Sequence, residues 1–306
     1  MYKLLDWIDI NKLNWDFLSE NPNAIDLLTA NQNKINWHSL SKNPNAIHLL
    51  TPHLKISDVY KIHYGWLSSN PNAINLLRAN QHKINWMNLS GNPNAIDLLT
   101  LNKEKIDWYH LSANPNAIDL LRANQEKIIW RWLSTNPNAI DLLSTNQEKI
   151  HWDYLSINPN AIDLLKANLD HPQICWYLLS ENPNAIDLIR TALDQQQDYE
   201  ISWDGLSKNL NAIDLLTSNQ DQPQGQEARK INWLYLSMNP NAIDLLAANQ
   251  DKIDWSNLSK NPSIFTYDYE FMKNRTSIYK EELIQTVWHP KRIKLWLDLG
   301  MEIDDL

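Results

Sequence analysis

The sequence contains a single cysteine, Cys175, in 306 residues, so no internal disulfide can form and a reducing compartment is expected. Glycine is almost as scarce. Gly65, Gly91, Gly205, Gly225 and Gly300 stand singly, which excludes a P-loop or a dinucleotide-binding turn. No stretch approaches the roughly 18 consecutive apolar residues of a membrane span, and Met1-Tyr2-Lys3-Leu4-Leu5-Asp6-Trp7 lacks the apolar core of a secretory signal. Positive charge is also in deficit. The 27 Lys and Arg against 36 Asp and Glu give a net charge of -9, which repels phosphate polyanions and argues against nucleic acid as a partner. The nine histidines follow no metal-ligand spacing. With no metal, no cofactor and no nucleophile paired to a base, the chain reads as a non-enzyme in an intracellular setting. Cys175, where most units carry Asn or Asp, reads as a small buried or half-buried side chain.

What is present instead is one phrase, Asn-Pro-Asn-Ala-Ile-Asp-Leu-Leu, that returns along nearly the whole chain. Its proline falls at Pro22, Pro44, Pro71, Pro93, Pro115, Pro137, Pro159 and Pro183, then Leu210 takes the place, then Pro240 and Pro262 follow. The basic step is 22 residues and there are eleven units. Such a period marks a solenoid, in which each unit buries its apolar face only against its neighbours. The cleanest copy runs from Ile106 to Lys127 and predicts two short helices. Asp107 caps the first, on which Trp108 and Leu111 share a face, and Pro115 forces that helix to stop near Ala113. Asn114 caps the second, with Pro115 at its first position, a stripe of Ile118, Leu120 and Leu121, and Asn124 closing it in the left-handed conformation.

Three features recur with the repeat. A ladder of aromatic rings begins the first helix (Trp15, Trp37, Tyr64, Trp86, Trp108, Trp130, Trp152, Trp176, Trp203, Trp233 and Trp255), and its spacing to Leu and Ile predicts a core position. The Ser and Asn that flank the turn, Ser112 and Asn114 in the fifth unit, predict hydrogen-bond ladders inside the stack. An Asp row (Asp26, Asp97, Asp119, Asp141, Asp163, Asp187, Asp214 and Asp244) predicts a solvated face, with Lys83, Lys105, Lys127 and Lys149 moderating its repulsion. Three steps are long, over 51–63, 191–201 and 219–230, and all the excess follows the second helix, so these insertions emerge on one edge. The stretch Asp221-Gln222-Pro223-Gln224-Gly225-Gln226-Glu227 has the composition of a mobile turn.

The expected fold class is all-α: an α-solenoid of about eleven two-helix repeats over 14–262, with an N-terminal half-cap at 1–13 and a C-terminal helical cap at 263–306. Within the cap, Ile264–Tyr269 reads as an aromatic linker, Ser277–Trp288 as an amphipathic helix, and His289–Trp296 as a degenerate last repeat. Helices packed about 8–10 Å apart predict a rod near 100 Å long. The candidate partner site consists of large aromatics one or two residues after the ladder ring: Trp66, Tyr109, Trp132, Tyr154 and Tyr177. Stacking would align them into a stripe suited to a protein segment, since Trp and Tyr dominate interface energetics. The competing reading packs these rings on the next repeat as extra core.

Leu111-Ser112-Ala113-Asn114-Pro115, followed by Ile118, Leu121, Ala123 and Asn124, resembles the leucine-rich variant repeat, which implies alternating short helices in a right-handed superhelix. The fuller pattern, Trp-x-x-Leu-Ser-x-Asn-Pro-Asn-Ala-Ile-x-Leu-Leu with the terminal His289-Pro290-Lys291-Arg292, resembles repeat proteins of giant DNA viruses of the mimivirus type. That second resemblance implies a viral protein in the host cytoplasm or the virion and brings no functional residues with it. Three functions follow: a scaffold that binds a protein partner along the solenoid surface, a structural or assembly component of a virion, or a single-stranded RNA reader using one repeat per base.

Overall fold

A computed structural model describes residues 1–54, 62–195, 199–218 and 231–300. The chain is an all-α repeat solenoid. In every unit but the last, a first helix of four to six residues is followed by a turn at Pro-Asn-Ala, or Leu210-Asn211-Ala212 in the ninth, then a second short helix and a linker; in the fifth unit the helices are Trp108–Ser112 and Ile118–Arg122. The two strands among the described residues are β1, Tyr2–Leu4, and β2, Phe265–Tyr267.

Helices this short are not stable alone in water, so burial between units must hold them. Columns of apolar side chains run through the stack: the Leu three residues after each ladder ring is 0% exposed, as is the Ala of each Asn-Pro-Asn-Ala turn. Each fully buried Leu contributes roughly 1.5–3 kcal/mol. The Ser and Asn columns are buried as well, and each polar group is satisfied across a unit boundary. Every such Ser hydroxyl donates to the carbonyl of its own ladder residue at 2.6–3.0 Å. It also accepts the backbone N–H that opens the next unit's first helix, at 2.8–3.1 Å. The Asn amide reaches back to two carbonyls of the preceding unit; Asn114 donates to Ser90 O and Asn92 O, both at 2.9 Å. Among the described residues no buried side-chain nitrogen or oxygen lacks a partner.

These ladders do not end. Asn21 in the first unit donates to Ser259 O and Asn261 O of the last, at 3.0 and 2.9 Å, and Asn23 donates to Pro262 O at 3.0 Å. The Asn14 N–H donates to the Ser259 hydroxyl at 2.8 Å, and Lys12 stands 4.8 Å over the Trp255 ring as Lys34 stands over Trp15. The last unit therefore stacks on the first through the same bonds as every other neighbouring pair, and the array is a closed ring. A full turn shared among eleven units is about 33° each. The expected rod near 100 Å long is thereby overturned. The linear estimate took the rise between units from helix packing and had no access to their rotation.

The seam also revises the expected caps. Where the last unit should have a second helix, Phe265–Tyr267 forms β2 and pairs antiparallel with β1, Tyr2 opposite Tyr267 and Leu4 opposite Phe265. Leu5 N–H donates to Ile264 O, Asp268 N–H to Met1 O, and Tyr2 N–H to the Asp26 carboxylate. Residues 1–13 thus join the two ends. The C-terminal helices, Tyr269–Val287 and Pro290–Asp298, cover no end, and no described side chain in them is fully buried.

Two local expectations also change, and the turn at Leu210 holds. Asn124 is not left-handed (φ -141°, ψ 51°); its amide instead donates to Leu120 O at 2.9 Å, satisfying a carbonyl at the helix end. Leu210 keeps its turn without proline, because Asn209 still accepts from Asn211 N and the Leu210 carbonyl still takes the Asn241 amide at 2.8 Å. Of the ladder rings only Trp152 and Trp203 are buried, both at 6% exposure; the others lie half covered at the edge of the core. The insertion stretch at 221–227 lies outside the described residues, as do 55–61 and 196–198 of the other two insertions.

Ring closure gives a direct test. Asn21→Ala and Asn114→Ala should destabilise the protein by similar amounts, about 2–4 kcal/mol for two buried carbonyls left without their donor, measured by denaturant unfolding. In an open array Asn21 would have no preceding unit, and its replacement would cost only the local turn cap on Asn23 N–H, about 0.5–2 kcal/mol.

Candidate functional site

In a closed ring every layer turns through the same angle, so the layer whose neighbours approach most closely lies nearest the axis. Neighbouring first helices pack directly on one another, as do neighbouring Pro-Asn-Ala turns, whereas the second helices are linked by extended arginines, Arg78 to Asp97 at 3.8 Å and Arg122 to Asp141 at 3.9 Å. First helices and turns therefore form the inner wall. Linkers, which carry the insertions, have room on the outside. First helices about 8–10 Å apart trace a circle roughly 28–35 Å across at their axes. Allowing for a helix diameter of about 10–12 Å leaves an opening on the order of 20 Å.

The exposed wall consists of the first and fifth residues after each ladder ring, together with the second except where it is buried, as at Ser39 and Gly205. The structure brings Tyr109, Trp132 and Tyr154 together: the Trp132 ring lies 4.7 Å from Tyr109 and 5.6 Å from Tyr154, forming a continuous arc over units five to seven. Arg131 lies with its guanidinium carbon 4.3 Å from the Tyr154 ring centre and also hydrogen-bonds the Tyr154 hydroxyl. Tyr177, in unit eight, extends the same face without touching Tyr154, and it is 49% exposed, close to the 48% of Tyr109. Trp66 stands apart. It belongs to unit three, with Lys42 4.0 Å over its ring and His63 4.6 Å away, and unit four separates it from the arc with Met87 and Asn88. None of the five aromatics packs against the continuous hydrophobic core.

Part of the wall was not singled out by sequence reasoning. Five residues after the ladder ring, charges of opposite sign face each other across unit boundaries. Lys42 reaches Glu20 at 3.3 Å, Lys260 reaches Glu20 at 3.9 Å across the seam, and Lys208 reaches Glu181 at 2.7 Å. The same ammoniums stack on rings two residues after the ladder position, Lys260 on Phe17 at 3.9 Å and Lys208 on Tyr235 at 4.4 Å. The hydrogen bond to Glu181 pushes Lys208 above the usual lysine value against a smaller lowering from burial. The signal was in the sequence as Glu followed by Lys at that position in successive units, Glu20 then Lys42 and Glu181 then Lys208, visible only once the units are set side by side.

On the linker side, among the described residues, seven ladder rings carry a lysine from the following linker over their face, at 4.5–4.9 Å from the ring centre. Lys83, Lys105, Lys127 and Lys149 belong to this set, so they serve the rings rather than the Asp row. The Asp row is solvated as expected, with Asp97 and Asp141 side chains 87% and 93% exposed. Cys175 is half-buried and its N–H donates to Ser156. No helix among the described residues is long and apolar enough to cross a membrane. A recess of about 550 Å³ is lined by Thr276, Tyr279, Lys280, Glu282, Leu283 and Thr286 of the helix Tyr269–Val287. Compared with family models, with curated proteins and with solved structures, the chain matches none.

Within the arc, Asp107 caps its helix through His110 N–H at 2.9 Å and contacts the His110 ring at 2.8 Å. Partial burial would raise this carboxyl, but the hydrogen bonds from the His110 backbone and ring outweigh burial and hold it below the usual carboxylate value. A depressed carboxyl stabilises the fold fully above its unfolded pKa, and the contribution is lost as pH falls through the lower folded value. Carboxyl NMR should place the Asp107 midpoint below that of an exposed Asp, and His110→Ala should move it upward.

Proposed function

We propose that the ring is a non-catalytic scaffold that takes a protein segment against the aromatic arc of its inner wall. The observation that carries this reading is the contiguous run Tyr109, Trp132 and Tyr154, continued by exposed Tyr177, on a wall whose other cations are already engaged. Rigid aromatics bury large area at low entropic cost, and here they are presented clear of the core that must hold the ring together. The arc spans units five to eight and offers a length suited to a short helix or an extended segment rather than a small metabolite. Its carboxylates, Asp153, Glu181 and Asp204, disfavour a phosphodiester backbone on the same wall, which sets RNA below protein as the occupant.

The test is the triple variant Trp132→Ser, Tyr154→Ser and Tyr177→Ser. It should melt close to the parent temperature and lose the protein that co-purifies with the parent from the cells that express it. A marked fall in melting temperature would make these rings structural and end the proposal.

A further inference from the structure

The lysine over each of those seven rings sits three residues before the next ladder ring: Lys34 before Trp37, Lys105 before Trp108, Lys252 before Trp255, and Lys12 before Trp15 across the seam. Two consecutive boundaries break the rule. The position holds Gln173 before Trp176 and Glu200 before Trp203. In place of the lysines, His171 stacks on Trp152 at 4.5 Å and Tyr199 on Trp176 at 3.9 Å with planes 9° apart. Both altered positions line one hollow of about 320 Å³, with Pro172, Ile174, Cys175, Trp176, Tyr177 and Tyr199 making up the rest of its wall.

We propose that this hollow binds an alkylammonium group. Elsewhere on the ring the same location is an ammonium site filled from within, since a cation over an aromatic face is attracted by the ring quadrupole. Here no lysine stands at either of two adjacent boundaries; Tyr199 covers the Trp176 face, Tyr199 and Tyr177 are themselves exposed rings lining the space, and a carboxylate has replaced one of the lysines. Glu200 is exposed and has no ion-pair partner among the described residues. Aromatic faces with one unpaired carboxylate favour a cation on an apolar stem over a neutral or anionic group. Cys175 and Ile174 at the wall would meet the stem. The ligand chemistry is shared by a protein's lysine side chain and by a free alkylamine. The hollow adjoins the arc through Tyr177 but does not rest on a protein being bound there.

The experiment uses the full chain, labelled at the indole nitrogens, with the Trp176 signal identified by its loss in Trp176→Phe. Two probes are titrated at constant ionic strength, butylammonium chloride and Nα-acetyl-lysine methylamide, with the Nε-acetylated amide as the neutral control. A charged probe should shift the Trp176 signal saturably in the millimolar range or below, and the neutral control should not. Glu200→Lys, which restores the rule of the other boundaries, should weaken binding at least tenfold without lowering the melting temperature. Saturation by butylammonium as good as by the lysine amide assigns the site to free amines; saturation by the lysine amide alone assigns it to a protein side chain. No saturable shift up to roughly 20 mM, equal binding of the neutral amide, or unchanged binding by Glu200→Lys would overturn the proposal. Because the probes are read on the isolated chain, failure here leaves the arc reading standing, and loss of the arc reading leaves this one standing.

Discussion

At every boundary between units, a buried Asn amide donates to two carbonyls of the preceding unit, and a buried Ser hydroxyl accepts the N–H that begins the following one. A first helix of four to six residues has too few internal bonds to persist, and its ends would leave orphan donors and acceptors in an apolar stack. The Ser and Asn side chains supply those partners from the neighbouring unit. Folding of any one unit is therefore conditional on the next, and the apolar columns of Leu and Ala can close without leaving unsatisfied polar groups between them. The turn itself tolerates Leu210 for proline because the bond that matters there is made by a backbone carbonyl.

Closure extends that conditional arrangement to the whole molecule. The last unit lacks the second helix that would present a next face, and the chain's first residues supply a strand in its stead, so each terminus completes what the other leaves open. The residues brought together are more than 230 apart in sequence, as in Asn21 with Ser259 and Asn261. Contacts of that separation close late, because their loop entropy must be offset by stacking already in place. The seam is therefore the last boundary to form, although its bonds are the same as those of the other ten.

Much of this was legible in the sequence because the repeat is so regular. Trp108 with Leu111, the Asn114-Pro115 boundary, and the Ser112 and Asn114 ladders all follow from spacing and turn chemistry, and each stands where the spacing puts it. Rotation between units was not legible, since it depends on a small difference in spacing between inner and outer layers that no single residue encodes. The linker lysines were misassigned for a different reason: Lys105 lies nearer in sequence to Asp97 and Asp119 than to Trp86, yet it folds back over Trp86, the ring near the start of its own unit. Of the five candidate aromatics, Tyr109, Trp132 and Tyr154 come into contact and Tyr177 continues their face. Trp66 does not join them, because Met87 and Asn88 occupy the corresponding places in the unit between.

Open arrays lengthen and shorten readily, since duplicating or deleting an internal unit leaves two usable ends. A ring with a sealed seam has lost that freedom. Inserting a twelfth 22-residue unit would require every boundary to relax from about 33° to about 30° at once, and removing one would require about 36°. The change could not be absorbed at one boundary, because the Asn amide bonds there sit at 2.7–3.2 Å and leave no slack. Growth of this protein must instead take place within the linkers, where added chain leaves the angle untouched. The three long steps between prolines are of that kind: the unit count has become a fixed number, and variation has been diverted to the rim.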